Sequence, residues 1–337
     1  MNLVPKSRRK WLRFAIHGLI LAVVGWGIYR TVDQAMEQLS GKRFDWQLHP
    51  GWLVLSGVLY LCGLLPAAAF WYRGLHALGQ RPRFGETLSA YYIGSLGKYV
   101  PGKAMVVVMR LGLLRSDRVS GPVAAISIFL ETLTMMAVGA FLSILMMVVW
   151  LNDHLRGHSF LLPLAAGLLV LSGVPTLPPV FRYLTVKFGV RRADPDIEKR
   201  LDGLTTGLMI YGWITISVGW VLMSLSLWAV LKAMGLQGID VVAHLPYFIA
   251  AVAMAMVAGF LSLIPGGAGV REFIIAVILG RFYFAGLLDA TMPDAKALIA
   301  AVVLRLVWLA AELIAAAIFY IGDRRQVAVE SNESVHS

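Results

Sequence analysis

Apolar residues run through this chain in long blocks separated by short charged stretches. A spanning helix needs about 20 mostly apolar residues. Six blocks meet that length: residues 11–29, 52–72, 122–151, 160–179, 208–231 and 297–321. Two further blocks, 87–114 and 245–285, are interrupted near their middles. The first interruption reads Gly97-Lys98-Tyr99-Val100-Pro101-Gly102-Lys103, the second Pro265-Gly266-Gly267-Ala268-Gly269-Val270-Arg271-Glu272. Pro and Gly break helices, and non-helical backbone at membrane depth survives only beside protein or a wet cavity.

The basic residues orient the blocks, because cytoplasmic loops are enriched in Lys and Arg. The run Lys6, Arg8, Arg9, Lys10 puts the N-terminus inside, and no small-x-small cleavage site follows residue 29, so 11–29 reads as an uncleaved first span. Loop 33–51 is then outside. Arg73, Arg81 and Arg83 lie inside, and so do Arg115 and Arg118. Block 87–114 must enter and leave by one face, which makes it a re-entrant hairpin with its tip at Pro101-Gly102. The basic loop 182–202 is inside, and Arg324 and Arg325 also belong inside. Block 245–285 becomes a second hairpin, entering from outside, with its tip at Pro265-Gly266-Gly267.

The predicted fold is therefore an all-α polytopic membrane protein with about six spans and two re-entrant hairpins. Residues 11–151 and 160–321 form two units of opposite orientation, an inverted repeat within one membrane domain. The tail, 327–337, is polar and reads as disordered and cytoplasmic. Both termini are cytoplasmic, and the expected location is the bacterial inner membrane.

Composition narrows the class. The 337 residues are 58% hydrophobic and 15% charged, with mean hydropathy +0.74; soluble domains carry about 25% charged residues. The net charge of +11 sits in short loops beside apolar blocks. That placement argues for membrane orientation and anionic lipid rather than nucleic acid. A lone cysteine, Cys62, excludes an intrachain disulfide and a cysteine metal cluster. The histidines are scattered, so no metal site and no cofactor is expected.

The chemistry concentrates at the interruptions. Each hairpin restarts a helix at its tip, where unpaired N–H groups and the macrodipole favour anions such as phosphate. Lys98, Lys103, Arg110 and Arg271 are the candidate phosphate-binding cations. Gly102, Gly266, Gly267 and Gly269 would let the backbone approach. Intramembrane charge is costly and calls for partners. Glu131, Glu272 and Arg305 form a candidate network, with Arg110–Glu131 and Glu272–Arg305 as the expected pairs. Glu312 lies seven residues beyond Arg305 on the same helix face and reads as a structural ion-pair residue. Gly97-x-x-x-x-Gly102-Lys103 imitates a nucleotide-binding loop, but Ala104 stands where Ser or Thr would hold magnesium. No arrangement of catalytic residues is visible.

On the two interrupted motifs the chain resembles the transmembrane, flippase-like region of bacterial lysylphosphatidylglycerol synthases. Arg305 also falls where such proteins carry an arginine. The resemblance spans roughly residues 10–322. It implies a lipid-translocating fold with two re-entrant helices and inverted pseudo-symmetry. In fused relatives a cytoplasmic aminoacyl-transferase domain follows, whereas this chain ends at Ser337. It is expected to be a stand-alone member without that activity, and not an enzyme. The expected function is movement of a lipid with an anionic head group, a phospholipid or a polyprenyl-phosphate-type lipid, between leaflets. The alternatives are a non-transporting partner of a lipid-modifying enzyme such as a glycosyltransferase, or a membrane enzyme on lipid-linked sugars. A homodimer and a separate lipid-modifying enzyme are the protein partners this reading allows.

Overall fold

A computed structural model describes residues 48–100, 104–114, 119–150, 161–187, 194, 196–236, 238–262, 264–284 and 293–333. The described residues are helical and contain no strand. In chain order the helices are α1 (Pro50–Ala77), α2 (Phe84–Ser95), α3 (Ala104–Leu113), α4 (Gly121–Trp150), α5 (Leu161–Gly173), α6 (Pro178–Lys187), α7 (Ile197–Leu201), α8 (Thr206–Ala233), α9 (Val241–Leu261), α10 (Val270–Val277) and α11 (Pro293–Glu333). Leu96–Tyr99, Val174–Thr176 and Pro265–Gly267 form 3-10 turns, and Ile278–Phe284 continues α10 as a π-helix.

Local chemistry sets several of these boundaries. Pro50 opens α1, where its missing N–H removes no intrahelical bond. Thr205 caps α8 by accepting from the Leu208 N–H at 3.2 Å, and Asp240 caps α9 by accepting from Val242 at 2.9 Å. Five helices are long and apolar enough to cross a membrane: α1, α4, α8, α9 and the part of α11 from Lys296 to Gly322. The protein is thus a polytopic all-α membrane protein. The expected first span, 11–29, lies outside the described residues.

The structure corrects the expected elements in three places. Residues 160–179 do not form one straight span. Leu162–Thr176 and Pro178–Lys187 meet at 74°. Pro175, Pro178 and Pro179 explain the break, since proline removes the donor and disfavours helix in the residue before it. The second hairpin, expected over 245–285, contains a helix long enough to span, since α9 has 21 residues. Pro246 falls near its N-terminal end, where a proline interrupts little of the helix. Finally, α11 continues to Glu333, past the point where a disordered tail was expected to begin. No proline or glycine interrupts residues 323–333.

The packing repeats itself between the two halves. At the centre α1 lies against α8. Both have 28 residues, and Gly63 and Gly219 stand at the same position in each. A Cβ added to Gly219 would lie 2.5 Å from the Gly63 carbonyl oxygen, and one added to Gly63 would lie 2.9 Å from the Gly219 oxygen. Backbone contact at this crossing excludes any side chain on either helix. The outer contacts also come in pairs: α1 meets α11 as α8 meets α4, and α2 meets α11 as α9 meets α4. Within each half the hairpin arms pack together, α2 on α3 and α9 on α10, and the second arm leans on the following long helix.

Each hairpin also closes around an arginine. A Cβ on Gly94 of α2 would sit 2.4 Å from Cγ of Arg110 on α3. A Cβ on Gly259 of α9 would sit 2.6 Å from Cγ of Arg271 on α10. Helix α9 is the innermost span, with 72% of its apolar window buried against 44–56% in the other four. The first arm of the second hairpin therefore lies in the core of the bundle.

Candidate functional site

The two interruptions meet. Gly266 has φ +60°, a left-handed conformation suited to glycine. A Cβ there would lie 3.4 Å from the Tyr99 ring and 3.3 Å from a terminal nitrogen of Arg305. The 3-10 turn Leu96–Tyr99 of the first hairpin thus touches the turn Pro265–Gly267 of the second. Beside this contact is a cavity of about 30 Å³. Lys98, Tyr99, Gly266, Arg271, Arg305 and Trp308 are among its lining residues.

Two carboxylates organise the polar groups here. Glu272, on the first turn of α10, is 2% exposed. Its Oε2 accepts from the Gly269 N–H at 2.7 Å, and its Oε1 pairs with Arg305 Nη1. It therefore caps its own helix and ties that helix to α11. Glu312 is buried on α11, seven residues beyond Arg305. Its Oε1 accepts from Lys98 Nζ and the Tyr60 hydroxyl, and its Oε2 accepts from the Tyr99 hydroxyl at 3.0 Å. Lys98 Nζ also donates to the Tyr60 hydroxyl oxygen at 3.1 Å. Tyr60 stacks on Trp308, with centroids 4.3 Å apart and an interplanar angle of 11°. The Trp308 indole N–H donates to Ser226 at 2.8 Å, and Ser226 and Ser56 hydroxyls share a bond of 2.8 Å. One helix, α11, thus anchors both hairpin tips through ion pairs of opposite polarity.

Arg271 is different. Among the described residues it forms no ion pair, and its buried Nε has no hydrogen-bond partner. Its side chain lies against Gly259 and Gly267; a Cβ at Gly267 would sit 2.7 Å from Nε. The guanidinium lines the cavity together with Arg305 and Lys98, both of which have carboxylate partners. A buried guanidinium nitrogen such as this Nε is costly without a partner. An anion in the cavity would offset that cost.

The remaining predicted site residues separate. Arg110 does not line the cavity. It pairs with Glu131 on α4 at 2.7 Å, and its guanidinium carbon lies 4.0 Å from the centroid of the Tyr91 ring and 5.1 Å from that of Trp71. Tyr91 donates to the second Glu131 oxygen at 3.1 Å. Both ionic side chains are buried with their partners, so the pair fixes α3 to α4. The expected pairs Arg110–Glu131 and Glu272–Arg305 are both present, but the predicted network splits into two clusters. Gly267 makes room for Arg271 rather than facing the cavity. Gly269 supplies the N–H that Glu272 accepts, and open space lies beside it. Gly102 and Lys103 lie outside the described residues. Lys98 is held by Glu312, so it is not a free phosphate ligand.

A family model for the lysylphosphatidylglycerol synthase TM region matches residues 11–316, which include both interruptions and α11 up to the Glu312 site. The chain belongs to this family. The family links it to membrane lipids. No curated protein matches the chain. In this member of the lysylphosphatidylglycerol synthase TM family, four residues not named as site candidates from the sequence shape the site: Tyr99 and Trp308 line the cavity, Tyr60 stacks on Trp308, and Gly259 makes room for Arg271. Tyr99 stood inside the first motif, between Lys98 and Pro101, and was the one visible clue to an aromatic wall. Tyr60 and Gly259 sit in uniform apolar blocks, where sequence alone gives no reason to single them out.

Proposed function

We propose that the protein moves a lipid with an anionic head group between membrane leaflets, binding its phosphate at the junction of the two hairpins. The observation that carries this reading is Arg271, a cation lacking an ion-pair partner among the described residues, set in a cavity at the contact between the interrupted segments. Two neighbouring cations are already neutralised there, so Arg271 is the position where an anion gains most. Charge-assisted hydrogen bonds to phosphate are the strong ones, and arginine offers them in a fixed fork.

The cavity of about 30 Å³ has room for roughly two water molecules. A phosphate enters only as the hairpin tips separate. The paired contacts of the two halves support an inverted repeat, in which one hairpin opens toward each leaflet in turn. Acyl chains remain in the bilayer while the head group crosses between the tips. No bond is made or broken in this reading, and the lipid leaves as it arrived.

The test is leaflet exchange. Purified protein in liposomes should move a labelled phospholipid faster than empty liposomes do. Equal rates with every head group tried would sink the proposal. A membrane enzyme would instead form a new lipid product in detergent, where leaflets do not exist. A non-transporting partner would give neither result.

A further inference from the structure

The geometry points to Glu312 as the residue that sets the charge of the head group this site accepts. The inference rests on the phosphate-binding reading above. It starts from the charges around the cavity. Among the described residues, Lys98, Arg271 and Arg305 bring three positive groups to its wall. Glu272 lines the cavity and pairs with Arg305. Glu312 does not line it, yet reaches Lys98 from behind. Two of the three cations are matched, and one is left. A site with one unmatched cation suits one negative charge.

A phosphodiester carries one negative charge. A phosphomonoester carries close to two above its second pKa of about 6. In a buried site the second charge would lack a partner, which is unfavourable. The site therefore favours a phosphodiester head group over a terminal phosphate. Glu312 decides this because it occupies Lys98. The Lys98 side chain keeps 21% of its surface exposed, while that of Glu312 has none. Lys98 is thus at the cavity wall and only its partner is hidden. Neutralising Glu312 would release a second cation to the cavity without adding or removing a lining residue.

The substitution Glu312→Gln suits this test. Glutamine has nearly the shape of glutamate, and its carbonyl oxygen can still accept from Tyr60 or Tyr99. Those tyrosines, with Lys98, are the groups that bond to Glu312. The Tyr60–Trp308 stack and the serine pair behind it do not involve the carboxylate charge.

The experiment measures binding of dihexanoyl phosphatidylglycerol, a diester, and dihexanoyl phosphatidic acid, a monoester, to full-length protein in detergent at pH 8. The wild type is expected to bind the diester about tenfold more tightly or better, the scale of one charge-assisted hydrogen bond. Glu312→Gln should shift the preference toward the monoester by a similar factor. The double variant Lys98→Gln with Glu312→Gln removes one charge of each sign and should return the preference to the diester. If Glu312→Gln does not fold, Lys98→Gln alone decides: it leaves the Glu312 carboxylate unmatched beside the cavity and should weaken diester binding about tenfold, which the double variant restores, and equal diester binding by Lys98→Gln and the double variant overturns the role of Glu312. A wild type that prefers the monoester, or a folded Glu312→Gln protein with unchanged preference, overturns the role of Glu312 while leaving a phosphate site in place. Binding of neither lipid by the wild type overturns both readings.

Discussion

Arg271→Gln should weaken binding of a phosphodiester lipid by about ten- to a hundredfold and leave the protein folded. Hydrogen bonds to charged groups contribute about 1.5–3 kcal/mol, and each 1.4 kcal/mol is a factor of ten in affinity. Loss of the guanidinium removes the cation that lacks a carboxylate partner at the cavity, while Lys98 and Arg305 keep theirs. The fold should tolerate the change because no ion pair among the described residues is broken and like charge beside Arg305 is reduced. Glutamine also fits the space that Gly259 and Gly267 leave. Trp308 lines the cavity, so tryptophan fluorescence during titration with dihexanoyl phosphatidylglycerol gives the readout. A folded Arg271→Gln protein with wild-type affinity would remove Arg271 from the site.

The second large effect is on stability. Glu131→Ala leaves Arg110 buried between Tyr91 and Trp71 with its carboxylate partner gone. Removing one partner of a buried ion pair costs about 3–5 kcal/mol. Replacing both partners with apolar residues of similar volume is often neutral or better. Arg110→Met combined with Glu131→Leu should therefore recover most of the stability lost in Glu131→Ala. Thermal unfolding followed by size-exclusion chromatography in detergent checks the order of the three proteins. The double variant should bind phospholipid as the wild type does, because neither residue lines the cavity. A double variant with normal stability and lost lipid binding would return Arg110 to the binding site.

Much of this architecture was legible because membrane helices advertise themselves. Uniform apolar blocks predicted α1, α4, α8 and the apolar part of α11, Lys296–Gly322, within a few residues. The second Pro-Gly segment marked the turn between α9 and α10, since few other sequences break a helix so sharply, while Pro101-Gly102 lies outside the described residues. Charges in apolar blocks must find partners, and a carboxylate on a neighbouring helix was the right one for both, Glu131 on the helix after Arg110 and Glu272 on the helix before Arg305. Other features left weaker traces. The bend between α5 and α6 depends on prolines that a count of apolar residues overlooks. The length of α9 was hidden because its apolar block continues toward the tip without a boundary. Glu312 read as a structural ion-pair residue whose partner the sequence did not name. Its ligand, Lys98, lies 214 residues away in the chain, and only the meeting of hairpin and last helix brings them together. The split between an Arg110 cluster and an Arg271 cluster was equally invisible. Both arginines follow a Pro-Gly segment, but among the described residues only the first pairs with a carboxylate on the helix that follows.

The glycines teach a related lesson. From the sequence, Gly266 and Gly267 shared one expected role, letting the backbone approach a phosphate. In the fold they do different work: Gly266 lines the cavity and meets Tyr99, while Gly267 stands aside for the Arg271 side chain. The conformation at both is left-handed, with φ of +60° and +65°, so neither position readily accepts another residue.

The most direct measurement is a cryo-electron microscopy map of the protein in nanodiscs of phosphatidylglycerol. Density for a phosphate within hydrogen-bond distance of Arg271, between the turns Leu96–Tyr99 and Pro265–Gly267, is the predicted result. Lipid ordered only on the outer surface of the bundle, with water alone beside Arg271, would contradict it.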